Sequence, residues 1–286
     1  MRSFCGARGL LALILSGLLL SAAAGTPSTA TAKPATRPEV RSSAALVVDA
    51  RDSSVLFAQR DDAAVPIASI TKLMTALVVL EGRQPLDEMI TITGADRDNA
   101  RGSPSRLGVG TRLSRGELLH LALMSSENRA AQALGRSYPG GLTVFVRAMN
   151  AKAKALGMSR SRFADPTGLS SGNVASARDL VKLVKAASAD PLVRRYSTDP
   201  RHTVVAGKHA LEFRNTNTLV AKPDWSIAVQ KTGYTIAAGQ CLVMQTVIDG
   251  RPVVMVLLNS YGKYTRIADA KRVRTWVETQ SRVAAL

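Results

Sequence analysis

The chain has 286 residues, of which 46% are hydrophobic and only 4% aromatic, enough to bury a sizeable core made mostly of aliphatic side chains and Ala. The formal net charge is +17 and comes mainly from 27 Arg. These cations are scattered rather than clustered, which argues for a solvated basic surface and against a dedicated nucleic-acid patch.

The first residues read as a secretory signal, residues 1–24. Arg2 and Arg8 supply a positive start, Gly9 to Leu20 a short apolar run, and Ser21-Ala22-Ala23-Ala24 small residues for cleavage. The apolar run is shorter than the roughly 20 residues that span a bilayer, and no second such stretch follows. Cys5 precedes the run, so it does not fit a lipoprotein cysteine. The expectation is therefore an exported, periplasmic protein without a stable membrane anchor, whose charge favours an anionic extracytoplasmic polymer over nucleic acid. Cys241 would be the one mature cysteine, flanked by Leu242, Val243 and Met244, and reads as a small buried hydrophobe.

Residues 25–42 are rich in Thr, Ala, Pro and Ser and read as a flexible linker. Ala45 to Asp49 and Val55 to Gln59 predict a strand hairpin turned by Ala50-Arg51-Asp52-Ser53. Ser69 to Gly82 carries apolar residues at helical spacing, as do Arg115 to Leu134 and Leu142 to Leu156, the last ended by Gly157. Ala177 to Ala187 predicts a further helix with Ser176 as N-cap and Asp179 at its third position. Ser226 to Gly233, Gln240 to Val247 and Val253 to Leu258 predict strands, the last two joined through Asp249-Gly250. Arg266 to Arg282 predicts a closing amphipathic helix. The order implies an α+β fold: an antiparallel sheet flanked by helices, with an inserted helical region. The expected division of 43–286 is a sheet part at about 43–85 and 205–286, and a helical part at about 86–204.

Three short motifs follow in order: Ser69-Ile70-Thr71-Lys72, Ser126-Glu127-Asn128 and Lys231-Thr232-Gly233. On a helix, Ser69 and Lys72 share a face, so the lysine amine can reach the hydroxyl and, if neutral, take its proton. Taken singly, each motif has a plainer reading: a helix cap beside a solvated lysine, a fraying helix end, a polar strand end before a turn. About one Ser-x-x-Lys is expected by chance in such a chain, whereas Lys-Thr-Gly is rare. The three together, in this order, point to nucleophilic catalysis. His120, His202 and His209 show no ligand spacing, and no metal or cofactor is implied.

The trio, as the motif set of serine penicillin-recognising enzymes, resembles the low-molecular-mass penicillin-binding proteins, and within them the D-alanyl-D-alanine endopeptidase subgroup. The resemblance extends over Leu123 to Ala130, Phe163 to Leu169, Ala177 to Leu180, Phe213 to Asn217, Lys231 to Thr235 and Gly262 to Tyr264. It implies a β-lactamase/transpeptidase-like fold with a five-stranded sheet, and a serine peptidase acting on the D-alanyl cross-links of peptidoglycan. It also implies β-lactams as covalent inhibitors. By that likeness Ser69 is the nucleophile and Lys72 the general base. Ser126, linked to Lys231, would pass a proton to the leaving amine, with Asn128 orienting Lys72 and substrate. Lys231 and Thr232 would hold a carboxylate, and the N–H groups of Ser69 and Tyr234, beside Gly233, would form an oxyanion hole. The segment Asp165 to Leu169 lacks the Glu-x-x-x-Asn pattern with which β-lactamases position deacylating water, and no anchor follows the last helix. D-alanyl-D-alanine carboxypeptidase stays open as the alternative; a β-lactamase or an idle cell-wall-binding protein fits less well.

Overall fold

The computed structural model describes residues 37–97 and 105–284; the signal and most of the linker expected from the sequence lie outside them. Strand β1 (Ser42–Asp49) and β2 (Val55–Gln59) form the expected hairpin. β1 starts at the last residue read as linker, because Ser42 is fully buried and its amide donates to Asp269 Oδ2 at 2.8 Å. β3 (Val65–Pro66) follows, then a 3-10 turn (Ala68–Ile70) that runs into helix α1 (Thr71–Glu81). Ser69 therefore sits one turn before the α-helix proper. Neither its turn nor α1 has a side-chain cap, so the cap reading of Ser69 does not hold.

After the short strands β4 (Met89–Thr91) and β5 (Arg112–Ser114), the helix expected at Arg115 to Leu134 is two helices: α2 (Arg115–Met124) and α3 (Asn128–Arg136). Ser126 breaks it by adopting a left-handed φ of 62°, and Glu127 then caps α3 by accepting from the Arg129 amide at 3.3 Å. α4 (Gly141–Ala155), β6 (Val174–Ala175) and α5 (Ala177–Ala189) come next, α5 capped by Ser176 as the sequence predicts. Helix α6 (Pro191–Thr198) and the hairpin β7 (Arg201–Ala206) with β8 (His209–Arg214) are absent from the sequence reading. The chain ends with β9 (Ser226–Thr235), β10 (Gly239–Ile248), β11 (Arg251–Ser260) and α7 (Thr265–Ala284).

One five-stranded antiparallel sheet organises the molecule, in the order β2-β1-β11-β10-β9. β1 pairs with β11 from Ser42 opposite Ser260 to Asp49 opposite Val253, which joins the start of the fold to its end. One face of the sheet packs on a large core containing α1, α2 and α5; the other packs on α7. Strands covered on both faces read as continuous apolar runs, which is why Leu242 to Met244 and Val253 to Leu258 carry no alternation. α1 is buried along Thr71 to Val79, a helix enclosed on all sides rather than an amphipathic one. Each fully buried Leu, Ile or Val there contributes about 1.5–3 kcal/mol, enough to hold the polar Lys72 in the same helix out of water. β9 is an edge strand, and its free edge faces the N-terminal turn of α1.

Candidate active site

Segments far apart in sequence meet at a cleft of about 310 Å³. Ser69 comes from the 3-10 turn before α1, Ser126 and Asn128 from the junction of α2 and α3, Leu169 from the loop after α4, and Thr232, Gly233 and Tyr234 from β9. Lys72 lies beneath, fully buried. Its Nζ donates to Ser69 Oγ at 2.8 Å, to Asn128 Oδ1 at 2.7 Å and to the Thr167 carbonyl at 2.7 Å. Three acceptors surround the amine nitrogen, which makes its burial tolerable and fixes its direction towards the serine.

Lys231 is also fully buried and donates to the Thr232 carbonyl at 2.9 Å. Burial, followed by the charges of Lys72 and Arg266, pushes its pKa well below that of an ordinary lysine. The direct Ser126–Lys231 link implied by the resemblance is not made among the described residues, since Lys231 turns to the carbonyl of its own strand. Thr232 Oγ1 lies 2.6 Å from Thr216 Oγ1, which adds a second hydroxyl to the cleft.

Backbone crowding explains the glycine of the third motif. A Cβ on Gly233 would stand 2.9 Å from the Ile67 carbonyl oxygen and 3.1 Å from the Ser69 nitrogen. Only glycine lets the edge of β9 lie against the turn that carries Ser69. Ala68, just before the serine, has a left-handed φ of 47°, and with Ser126 it places two strained non-glycine residues at the cleft. Such strain persists only where the surroundings enforce it, and it clusters at functional sites.

The loop Phe163 to Asn173 supplies the carbonyl that Lys72 needs. Asp165 organises it: Oδ1 accepts from the Thr167 amide (2.6 Å), Thr167 Oγ1 (2.7 Å) and the Gly168 amide (2.7 Å), and Oδ2 from the Ser170 amide (2.8 Å) and Asn173 Nδ2 (2.7 Å). Burial alone would raise the pKa of Asp165, but these donors outweigh it and the net shift is downward. A carboxyl whose folded pKa lies below its unfolded value adds stability at neutral pH and loses it as pH falls through the folded pKa. Asp165→Asn should therefore lower stability by about 2 kcal/mol at neutral pH, the cost of mispairing several buried donors. The gap should narrow below about pH 4, where the unfolded wild-type carboxyl protonates. Urea unfolding of both proteins at neutral pH and in acid checks this; a pH-independent gap would reject it.

The sequence reading missed Arg266, Thr216 and the Thr167 carbonyl. Arg266, at the start of α7, lines the cleft and donates through Nη1 to the Gly233 carbonyl at 2.6 Å. Thr216 sits inside the stretch Phe213 to Asn217, whose signal is Asn215: its side chain bonds the Ser197 and Asp199 carbonyls and Gln230 Nε2, all at 2.9 Å. A backbone carbonyl such as that of Thr167 leaves no mark in residue types. Cys241 is buried on β10 beside Gly233, and burial raises its thiol pKa to about 11, so it is no nucleophile. His120 and His202 lie with tilted rings, centroids 4.1 Å apart, and neither lines the cleft. Burial, then the neighbouring His202, lowers the pKa of His120 to about 4.

The model of the D-alanyl-D-alanine carboxypeptidase family matches residues 29–262. The chain is 49% identical over 253 residues to the D-alanyl-D-alanine endopeptidase of Escherichia coli, covering 88% of this chain and 82% of that protein. It is 49% identical over 273 residues to the D-alanyl-D-alanine endopeptidase of Pseudomonas aeruginosa, covering 94% and 87%. Among solved structures, a Streptomyces DD-transpeptidase superposes with a TM-score of 0.78 at 26% identity, over 84% of this chain and 98% of that one. A penicillin-binding protein of Listeria monocytogenes, solved in its cefotaxime-bound form, gives 0.74 at 28% identity over the same shares. With the family model spanning residues 29–262 and two relatives at 49% identity over most of their length, the chain belongs to the D-alanyl-D-alanine carboxypeptidase family.

Proposed function

We propose that the chain is a serine D,D-endopeptidase that hydrolyses the D-alanyl cross-links of peptidoglycan through an acyl-enzyme on Ser69, and that β-lactams acylate the same hydroxyl. The observation that carries this is the 2.8 Å hydrogen bond between Lys72 Nζ and Ser69 Oγ at the floor of the cleft. Neutral Lys72 takes the Ser69 proton as Oγ attacks the D-alanyl carbonyl carbon. The C–N bond breaks, and the proton reaches the leaving amine by way of Ser126. Water then adds to the ester, the Oγ–acyl bond breaks, and the proton returns to Ser69. Asn128 holds Lys72 in line. The carboxylate next to the scissile bond meets the hydroxyls of Thr232 and Thr216, with the positive charge of Arg266 close by. The N–H groups of Ser69 and Tyr234, brought together by Gly233, take the oxyanion. Each such donor supplies roughly 3–4 kcal/mol in enzymes of this kind of chemistry.

Asp165 is the sole carboxylate between Phe163 and Asn173, and both its oxygens are committed to the loop. That supports a lasting β-lactam adduct rather than β-lactamase turnover. The basic charge, the N-terminal signal and the linker support export to the periplasm and a role in shaping the wall. The carboxypeptidase named by the family model uses the same chemistry on a terminal D-Ala. Product analysis on purified cross-linked muropeptides separates the two. Dimers split into monomers with no free D-Ala is the expected result; release of D-Ala with dimers intact would replace this reading by carboxypeptidase.

A further inference from the structure

The chain has five tyrosines, and two of them are half-buried against the core: Tyr138 against Phe145, and Tyr196 stacked on His120. The other three stand in solvent at one place. Tyr234 is 58% exposed, Tyr261 94% and Tyr264 71%, and Ile236 beside them is 95% exposed. They lie at the same end of the sheet. Tyr234 faces Gln240 on β10, and Gln240 faces Ser260 on β11, so these residues share the face of the sheet that α7 covers. Two strand spacings separate Tyr234 from Ser260, about 10 Å, and Tyr261 and Tyr264 follow directly. The loop that carries them is ordered by its own bonds: the Thr265 amide donates to the Gly262 carbonyl at 3.3 Å and Thr265 Oγ1 to the Tyr261 carbonyl. Arg266 then ties this end of α7 to Gly233 in the cleft.

Exposed apolar residues scattered singly need no explanation, but four together on a held surface mark a binding site. Rings with a polar hydroxyl and an apolar face suit a partner that is itself amphipathic. Neither Lys231 to Gln240 nor Tyr261 to Arg266 contains an acidic residue, and Lys263 lies 5.5 Å from the Tyr264 ring centroid. A lipid surface would call for Trp, Phe and Leu on such a patch, and neither segment has any of these.

We propose that Tyr261 and Tyr264, with Ile236, form a platform on which the glycan chain of peptidoglycan lies, its pyranose rings stacked on the tyrosines, next to the cleft that takes the stem peptide. This rests on the reading of the cleft as a peptidoglycan peptidase. The platform adjoins that cleft, since Tyr234, two residues from Ile236, and Arg266, two residues from Tyr264, line it. It directs the enzyme to polymeric wall rather than to free peptide.

The test compares the wild type with the double variant Tyr261→Ala/Tyr264→Ala, whose exposed positions leave the fold intact. Affinity for soluble glycan strands freed of stem peptides, measured by calorimetry, should fall at least about tenfold, since aromatic truncation at a binding centre typically removes that much. Hydrolysis of intact sacculi should fall to a similar degree. Hydrolysis of a sugar-free cross-linked peptide and the rate of penicillin acylation should stay within about twofold. Unchanged glycan affinity, or equal loss on sacculi and free peptide, would overturn the platform. So would binding to anionic phospholipid vesicles that depends on the two tyrosines while glycan affinity does not. A wild type that binds glycan through these tyrosines yet cleaves no peptide would leave the platform standing and remove the peptidase reading instead.

Discussion

Ser69→Ala should abolish turnover of D-alanyl peptides, by at least about a thousandfold, because loss of a nucleophile leaves only binding and oxyanion stabilisation. Treated with penicillin, the wild type should gain the mass of one lactam on the peptide that carries Ser69, and the variant should gain none. The same change should barely move stability. Ser69 Oγ caps no helix; it accepts from Lys72 and makes one long contact, 3.4 Å, to the Thr167 carbonyl. Lys72 keeps Asn128 and Thr167 as acceptors, so the expected cost is about 1 kcal/mol, or a Tm change of about 2–4 °C in a chain of this size. Turnover within tenfold of the wild type would dismiss Ser69 as the nucleophile. A collapse in Tm would mean its hydroxyl is a structural group.

Gly168→Ala should disable the protein by another route, although residue 168 does no chemistry. Gly168 has a φ of 86°, and a Cβ there would lie 2.0 Å from the Ala68 carbonyl oxygen and 2.8 Å from the Ser69 nitrogen. Those are main-chain atoms of the turn that carries Ser69, so no rotamer change can clear the overlap. Either the Asp165 loop or the Ala68 turn must move. Moving the loop takes the Thr167 carbonyl from Lys72, and moving the turn takes Ser69 from the edge of β9. A displacement of about 1 Å at reacting groups costs on the order of a hundredfold in rate, the expected loss in penicillin acylation. The left-handed backbone adds about 1–2 kcal/mol for a residue with a Cβ. Together with the overlap, that should lower Tm by about 10 °C. An alanine variant that melts and acylates like the wild type would show that the loop and the turn are not in the contact described here.

What the sequence makes legible follows from physical range. The hairpin β1–β2, the closing strands and the cap of α5 rest on local patterns such as Ser176 with Asp179, and the structure has them where those patterns lie. The break at Ser126 was not legible, because apolar spacing runs straight through it and a left-handed φ at a serine leaves no mark in residue types. Helix α6 and the hairpin β7–β8 were missed because they are short and mostly exposed, so their apolar periodicity is weak. At the cleft, side-chain chemistry reads out well: Ser69, Lys72, Ser126 and Lys231 belong to short motifs. Contacts made by the main chain do not, and the Thr167 carbonyl and the crowding around Gly168 emerge only in three dimensions.

The pairing of β1 with β11 ties order of synthesis to onset of activity. Ser42 meets Ser260 and Asp49 meets Val253, so β1 lacks one neighbour until nearly the whole chain exists. Until then it has only β2, and a lone two-stranded hairpin is marginal in water. Closing a sheet across such sequence separations is slow, because the entropy of the intervening chain is lost before the contacts repay it. The turn that carries Ser69 packs on β9, which hydrogen-bonds to the sheet only through β10, so Ser69 meets Gly233 at the end of that process. An unfinished or still unfolded chain thus has no assembled cleft, whichever of the cleft residues it already carries.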